Sequence, residues 1–264
     1  MFYRLWLAVI GLFVAASAQA LDFQVSPAVA AVFSQAKVNG TFVLYDVSRQ
    51  RLFGLDQKRA ETRFSPASTF KIPNSLIGLS VGAVRNVDEI LFHYDGKTPL
   101  YLKSWQKDVG LREAFAVSHL LAYQELARRI GLDRMQTNVA KLNYGNAQIG
   151  QTVDTFWLDD VLKISAVEQT AFLARLAHSQ LPFPVNAQMQ VRDIAKLEQG
   201  DDWVLYGKTG WTGKAQPSVG WFVGWIEQKG NIYSFALNMD IPDETFLPKR
   251  KEVAKASLRA LGLL

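Results

Sequence analysis

The chain has 264 residues, 49% of them hydrophobic and 20% charged, which is enough apolar material for a sizeable core and rules out a disordered chain. It contains no cysteine, so disulfide staples and thiol catalysis are excluded. The net charge of +5 comes from scattered lysines and arginines, densest at Lys249-Arg250-Lys251, and lacks the clustered basic stripe that nucleic-acid binding favours.

In chain order, residues 1–20 read as a secretory leader. Arg4 gives a positive start, Leu5 to Ala16 an apolar core, and Ala18-Gln19-Ala20 a small-residue cleavage site. An exported, periplasmic protein with no membrane span is expected. Pro27 to Ala36 follows a helical rhythm. Thr41 to Val47 and Arg51 to Leu55 read as a hairpin of β-branched and aromatic strands. From Phe64 to about Gly200 the pattern is mainly helical: the segment after Ser68, Leu111 to Ile130, Arg134 to Lys141, Ala166 to Ala177 and Gln188 to Leu197. Strands return at Trp203 to Lys208, Val219 to Glu227 and Tyr233 to Met239. A last helix from about Pro248 to Leu261 stops at Gly262. The economical packing is α+β: one five-stranded antiparallel sheet covered by the terminal helices, with a mostly helical second lobe. One folding unit over residues 21–264 is expected, with a sheet lobe of about 21–63 and 203–264 and a helical lobe of about 64–202.

The chemistry gathers around Ser65-Pro66-Ala67-Ser68-Thr69-Phe70-Lys71. Ser65 is a good helix N-cap and Pro66 suits the first helical position. Ser68 then falls in a first turn, and Lys71 lies three residues on, on the same face. Ser-x-x-Lys also occurs at Ser34–Lys37 and Ser104–Lys107. The first precedes the Asn39-Gly40 turn and the second sits in a polar, loop-like stretch. Only Ser68 opens a buried helix, where a desolvated lysine can serve as a base for a serine nucleophile. Gly78-Leu79-Ser80-Val81-Gly82, with His178 downstream, fits the nucleophile elbow of esterases, but a helix precedes Ser80 where an elbow needs a strand. The three histidines, His93, His119 and His178, lack metal-ligand spacing, so no metal is expected.

Downstream, Lys208-Thr209-Gly210 ends a strand, after Gly207, and suits an anionic ligand lying along it. Ser118-His119-Leu120 lies midway along a helical stretch or at a break in it. Tyr144-Gly145-Asn146 is a tight turn by composition. Trp157 is core by type, but a buried indole N–H needs an acceptor. Arg250 stands near a helix start, where a cation opposes the helix dipole and an anionic ligand would justify it.

This ordered set resembles the class D (oxacillinase-type) serine β-lactamases, over essentially the whole chain after residue 20. The resemblance implies a β-lactamase/transpeptidase fold and hydrolysis of β-lactam antibiotics through a Ser68 acyl-enzyme. It implies that Lys71 is carboxylated by carbon dioxide and acts as the general base, with Trp157 donating to the carbamate. Ser118 and Lys208 complete the implied catalytic set, Ser118 relaying a proton to the lactam nitrogen. The Ser68 and Trp211 N–H groups would form the oxyanion hole. Lys208, Thr209, Gly210 and Arg250 would hold the substrate, and Leu158 and Leu120 would border the carbamate and the deacylating water. The family usually carries Val or Ile where this chain has Leu120. The resemblance implies no cofactor besides carbon dioxide, no metal, a small-molecule β-lactam as partner, and a monomer or homodimer. The rival from a different class is a penicillin-sensing or penicillin-binding domain that is acylated without turnover.

Overall fold

The computed structural model describes residues 22–213 and 216–264; the leader expected over residues 1–20 lies outside them. The elements begin with β1 (Phe23–Val25), α1 (Pro27–Ala36), β2 (Gly40–Asp46), β3 (Arg51–Leu55) and α2 (Gln57–Glu61). A 3-10 turn, Ala67–Phe70, runs directly into α3 (Lys71–Ser80), followed by β4 (Ile90–Phe92) and β5 (Val109–Gly110). The helical stretch is α4 (Leu111–Ala116), α5 (Leu120–Ile130), α6 (Leu132–Leu142), α7 (Ala166–Ala177) and α8 (Val185–Ala195). The chain ends with β6 (Lys196–Gln199), β7 (Trp203–Trp211), β8 (Val219–Gln228), β9 (Asn231–Asp240) and α9 (Lys249–Ala260).

The main sheet has the order β1-β3-β2-β9-β8-β7-β6 among the described residues. The five expected strands form its antiparallel centre, and two short strands extend it to seven. β1 pairs with β3 in parallel, so the sheet is mixed. β6 returns the chain to the sheet at Lys196, earlier than the expected Trp203. All four of its residues are exposed, so no apolar alternation announces it. β7 runs three residues past Lys208, because its ladder with β8 continues to the pair Trp211–Gly220.

β8 shows why the sheet sits where it does. Val219, Trp221, Val223 and Trp225 turn to the helical lobe, while Phe222 and Ile226 turn to the opposite core. A strand with apolar residues of both parities must be covered on both faces. α1 and α9 cover one face through Val29, Phe33, Val253 and Leu258, and α7 with the helical lobe covers the other through Leu173 and Leu176.

One open alternative about helices is decided and one expectation needs correction. The helical stretch over Leu111–Ile130 is two helices, with the break at Val117-Ser118-His119. Ser118 takes a left-handed φ of 55°, and the His119 ring caps α5 by accepting from the Ala122 N–H. Ser65 does not cap a helix: its hydroxyl donates to the Trp157 carbonyl at 2.8 Å, and the 3-10 turn starts at Ala67 without a side-chain cap.

That bond belongs to a clamp. The loop between α6 and α7 is held against the strand-like segment before Ser68 by Phe64–Ile164 bridge bonds of 3.0 and 2.9 Å and by Ala67 N–H to Trp157 O at 3.0 Å. Tyr144-Gly145-Asn146 pins the loop from its other side. The Asn146 side chain donates to Val161 O at 2.9 Å and accepts from Lys163 N–H at 3.0 Å. Gly145 sits at a φ of 57°, with the Lys163 carbonyl where a Cβ would be. Gly145→Ala therefore meets both backbone strain and a collision, and should cost about 2–4 kcal/mol in urea unfolding. Gly82→Ala, at a φ of 72° with open space around it, should cost only about 1 kcal/mol. Equal losses at the two positions would remove the collision from the account.

Candidate active site

Ser68 lies in the 3-10 turn, and Lys71 is the residue on which that turn passes into α3. With three residues per turn, positions three apart eclipse each other, so the spacing places the two side chains directly together. The Lys71 Nζ is 3.1 Å from Ser68 Oγ. Lys71 is 2% exposed, and burial pushes its amine down to about 7. At neutral pH a large share of that amine is therefore unprotonated. The Tyr123 ring lies under Nζ, 5.0 Å from its centroid, and Tyr123 is fixed by a 2.8 Å hydrogen bond to Ser75.

Trp157 is buried and stacks on Phe70, with centroids 5.4 Å apart at 18°. Its backbone carbonyl takes the two clamp bonds described above, yet its indole N–H has no partner among the described residues. A buried donor left unpaired costs about 1–3 kcal/mol, so this one awaits an acceptor.

The second serine comes from the break between α4 and α5. Ser118 Oγ is 3.1 Å from the Lys208 Nζ, which also donates to Thr209 O at 3.1 Å. Lys208 is buried, and its ammonium pKa is held well below the usual value by burial, then by the charges of Lys71, Arg250 and Lys251.

β7 supplies an exposed backbone edge. Thr212 donates to Val219 O, across to β8. Alternate residues of an antiparallel strand turn both backbone groups to the same side, so Thr209 and Trp211 turn theirs away from β8. β6 pairs with β7 only as far as Tyr206, which leaves that edge open beyond it. The open edge faces the nucleophile. A Cβ on Gly210 would lie 3.0 Å from Pro66 O and 3.1 Å from Thr69 Cγ2, so glycine lets β7 close on the turn that carries Ser68.

Arg250, in the first turn of α9, is half-buried, and burial pushes its guanidinium down to about 10. It donates to Gly210 O and Leu247 O, both at 2.7 Å, and pairs with no carboxylate among the described residues. Its backbone partners explain a cation at a helix start: the side chain is directed to the end of β7.

Ser68, Ser118, Leu120, Leu158, Thr209, Gly210, Trp211 and Arg250 line one cleft of about 410 Å³. Lys71, Trp157 and Lys208 lie buried at its base. None of the lining residues is acidic, so the cleft suits an anion. Tyr101, Leu102, Trp105 and Val117 line it as well and were not expected there. The stretch around Ser104 read as a plain polar loop, but Trp105 is buried; an isolated tryptophan in a polar run was the available signal. Ser34, Ser104 and Ser80 are absent from the cleft, and Ser80 donates to Leu76 O inside α3. Among the described residues no cluster of histidines and carboxylates could hold a metal ion, and no helix is long and apolar enough to cross a membrane.

Comparison with known proteins bears on this arrangement. The penicillin binding protein transpeptidase domain family matches residues 29–259. The chain is 40% identical over 235 residues to the β-lactamase OXA-5 of Pseudomonas aeruginosa, covering 88% of this chain and 87% of that protein. It is 38% identical over 242 residues to the β-lactamase OXA-48 of Klebsiella pneumoniae, covering 92% and 91%. The crystal structure of FUS-1 (OXA-85), a class D β-lactamase from Fusobacterium nucleatum subsp. polymorphum, matches with a TM-score of 0.86 at 49% identity, over 89% of this chain and 98% of that one. The mixed sheet with its helical lobe is the β-lactamase/transpeptidase fold, and the chain belongs to the class D β-lactamases of the transpeptidase-domain family.

Proposed function

We propose that this protein hydrolyses β-lactam antibiotics through an acyl-enzyme on Ser68, with Lys71 as the site of the general base. The observation that carries the reading is the buried Lys71 amine, lowered to about 7 and 3.1 Å from Ser68 Oγ. Ser68 Oγ attacks the lactam carbonyl carbon as its proton passes to the base, and the developing oxyanion lies between the Ser68 and Trp211 N–H groups. The carbonyl carbon–nitrogen bond then breaks, and the ring nitrogen takes a proton from Ser118. Lys208, whose ammonium is made a readier acid by burial and neighbouring cations, restores that proton. Through solvent, the base then releases the Ser68 proton and Lys208 regains its own. Water, activated by the freed base near Leu158 and Leu120, attacks the ester carbon, and the water's proton passes through the base to Ser68 as the ester bond breaks. Lys208, Thr209 and Arg250 hold the substrate carboxylate in an acid-free cleft, beside Gly210 on the substrate-binding strand.

The base is a carbamate on Lys71, formed when the neutral amine adds carbon dioxide and releases a proton. Two features favour it: an amine buried without a carboxylate, and the unpaired Trp157 N–H, for which a carbamate oxygen is a fitting acceptor. No metal takes part in this reading. The leader-like residues 1–20 support export to the periplasm.

Replacing Ser68 by alanine should lower penicillin turnover by about four orders of magnitude or more while leaving the melting temperature within a few degrees. A wild-type acyl-enzyme that forms and never decays would instead favour a penicillin-sensing domain. The carbamate gives a second expectation. Removing carbon dioxide should lower activity reversibly, and bicarbonate should restore it. Forming the carbamate from the ammonium releases two protons, one from the amine and one on carboxylation. As pH falls, the dissolved carbon dioxide needed for half-activity should therefore rise about a hundredfold per pH unit below about pH 7 and about tenfold per unit above it. Activity indifferent to bicarbonate across that range would remove the carbamate. Trp157→Phe should raise the same requirement by about tenfold by taking away the donor.

A further inference from the structure

Next to Ser118 stands a buried imidazole that the mechanism above does not use. His119 is 0% exposed. It lies between Phe92, with centroids 4.7 Å apart, and Trp105, stacked at 5.0 Å and 21°. Its two ring nitrogens face partners of opposite kind. The Ala122 N–H, which can only donate, is 3.2 Å from Nδ1, and the Trp105 carbonyl, which can only accept, is 3.0 Å from Nε2. Only the neutral ring with its hydrogen on Nε2 satisfies both. Burial pushes the imidazole pKa down; the Trp105 carbonyl opposes this, and the Lys71 charge adds to it.

Trp105 is held a second time, because its indole N–H donates to the Val117 carbonyl at 3.1 Å. One residue of the cleft wall is thus tied to both neighbours of Ser118: to Val117 through its indole and to His119 through its carbonyl. Ser118 between them has a φ of 55°, a conformation that a serine keeps only where its surroundings enforce it. Its own N–H is held at 3.2 Å by Phe115 O, and the His119 N–H at 2.8 Å by Ala114 O.

We propose that His119 is a positioning residue, whose Nε2–H ring fixes the Trp105 wall of the cleft and the backbone of Ser118 as one unit. The clamp stands on geometry alone; its kinetic effect rests on the β-lactam reading above. The two ends of the ring should be separable. Asparagine can reproduce the Nδ1 cap on α5 but is too short for the Trp105 carbonyl. Glutamine can reach that carbonyl but gives up the cap behind Ser118.

The test uses the full chain with His119→Asn, His119→Gln and His119→Ala, assayed on benzylpenicillin and on 6-aminopenicillanic acid, which lacks the aromatic acyl group. His119→Asn should raise KM for benzylpenicillin by about fivefold more than for the smaller compound, with kcat held within about twofold. His119→Gln should lower kcat about tenfold on both compounds with little change in KM, and His119→Ala should do both. Alanine kinetics within about twofold of wild type would overturn the proposal. So would identical losses in all three variants that simply follow their melting temperatures. A long-range 1H–15N spectrum supplies a readout independent of turnover: His119 should be the Nε2–H tautomer at neutral pH, and an Nδ1–H or doubly protonated ring would overturn the clamp. Wild-type protein without turnover on either compound would instead sink the β-lactam reading, leaving the spectrum to judge the clamp.

Discussion

An ammonium group cannot be kept in a dry pocket at low cost unless a counter-charge goes with it, and the cleft offers none. The site depends on that constraint. Lys71 and Lys208 are both nearly inaccessible, neither is salt-bridged among the described residues, and both are driven towards the neutral amine. Each serine is thereby given an amine 3.1 Å away. The two pairs differ in what surrounds the amine. Lys71 is enclosed chiefly by burial, whereas Lys208 also feels the neighbouring cations Arg250 and Lys251. The same groups that make a proton acceptor on one side of the cleft make a willing proton donor on the other.

Keeping Lys71 dry requires the α6–α7 loop to stay closed over the nucleophile segment. The closure is made mostly of backbone bonds and is backed by ring packing of Trp157 and Phe156 on Phe70. Phe70 lies between Ser68 and Lys71 in sequence, so the side chain that seals the loop belongs to the turn that carries the nucleophile. Stability of the loop and reactivity of the amine are therefore coupled through a single residue.

Much of this was legible in the residues. The Ser68–Lys71 spacing, the Lys208-Thr209-Gly210 strand end and Arg250 converge on one cleft, and the five longer strands lie where their β-branched and aromatic runs placed them. Features with a nonlocal cause were harder to read. β1 is a short edge strand whose parallel pairing comes from β3, beyond α1 and β2, and β6, although it pairs with the neighbouring β7, has four exposed residues and no apolar alternation to announce it. Ser65 has the chemistry of a cap but finds the Trp157 carbonyl, 92 positions away in sequence. The break at Ser118 depends on a histidine acting as cap, which ordinary capping preferences do not favour. Trp105 reaches the cleft only because the Val117–His119 segment holds it there.

The open edge of β7 bears on how this cleft can change over time. The groups it presents at Thr209 and Trp211 are main-chain atoms, which every residue except proline carries alike. Point substitutions along that edge can alter what surrounds these donors and acceptors but can hardly delete them. Ser68 and Lys71 are constrained by each other, and Gly210 by the turn packed on it. Variation compatible with a working site is thus left to the exposed side chains of the rim, Tyr101 and Leu102, which line the cleft without holding it together. Under selection by new ligands, the lineage should diversify at its mouth while its floor stays fixed.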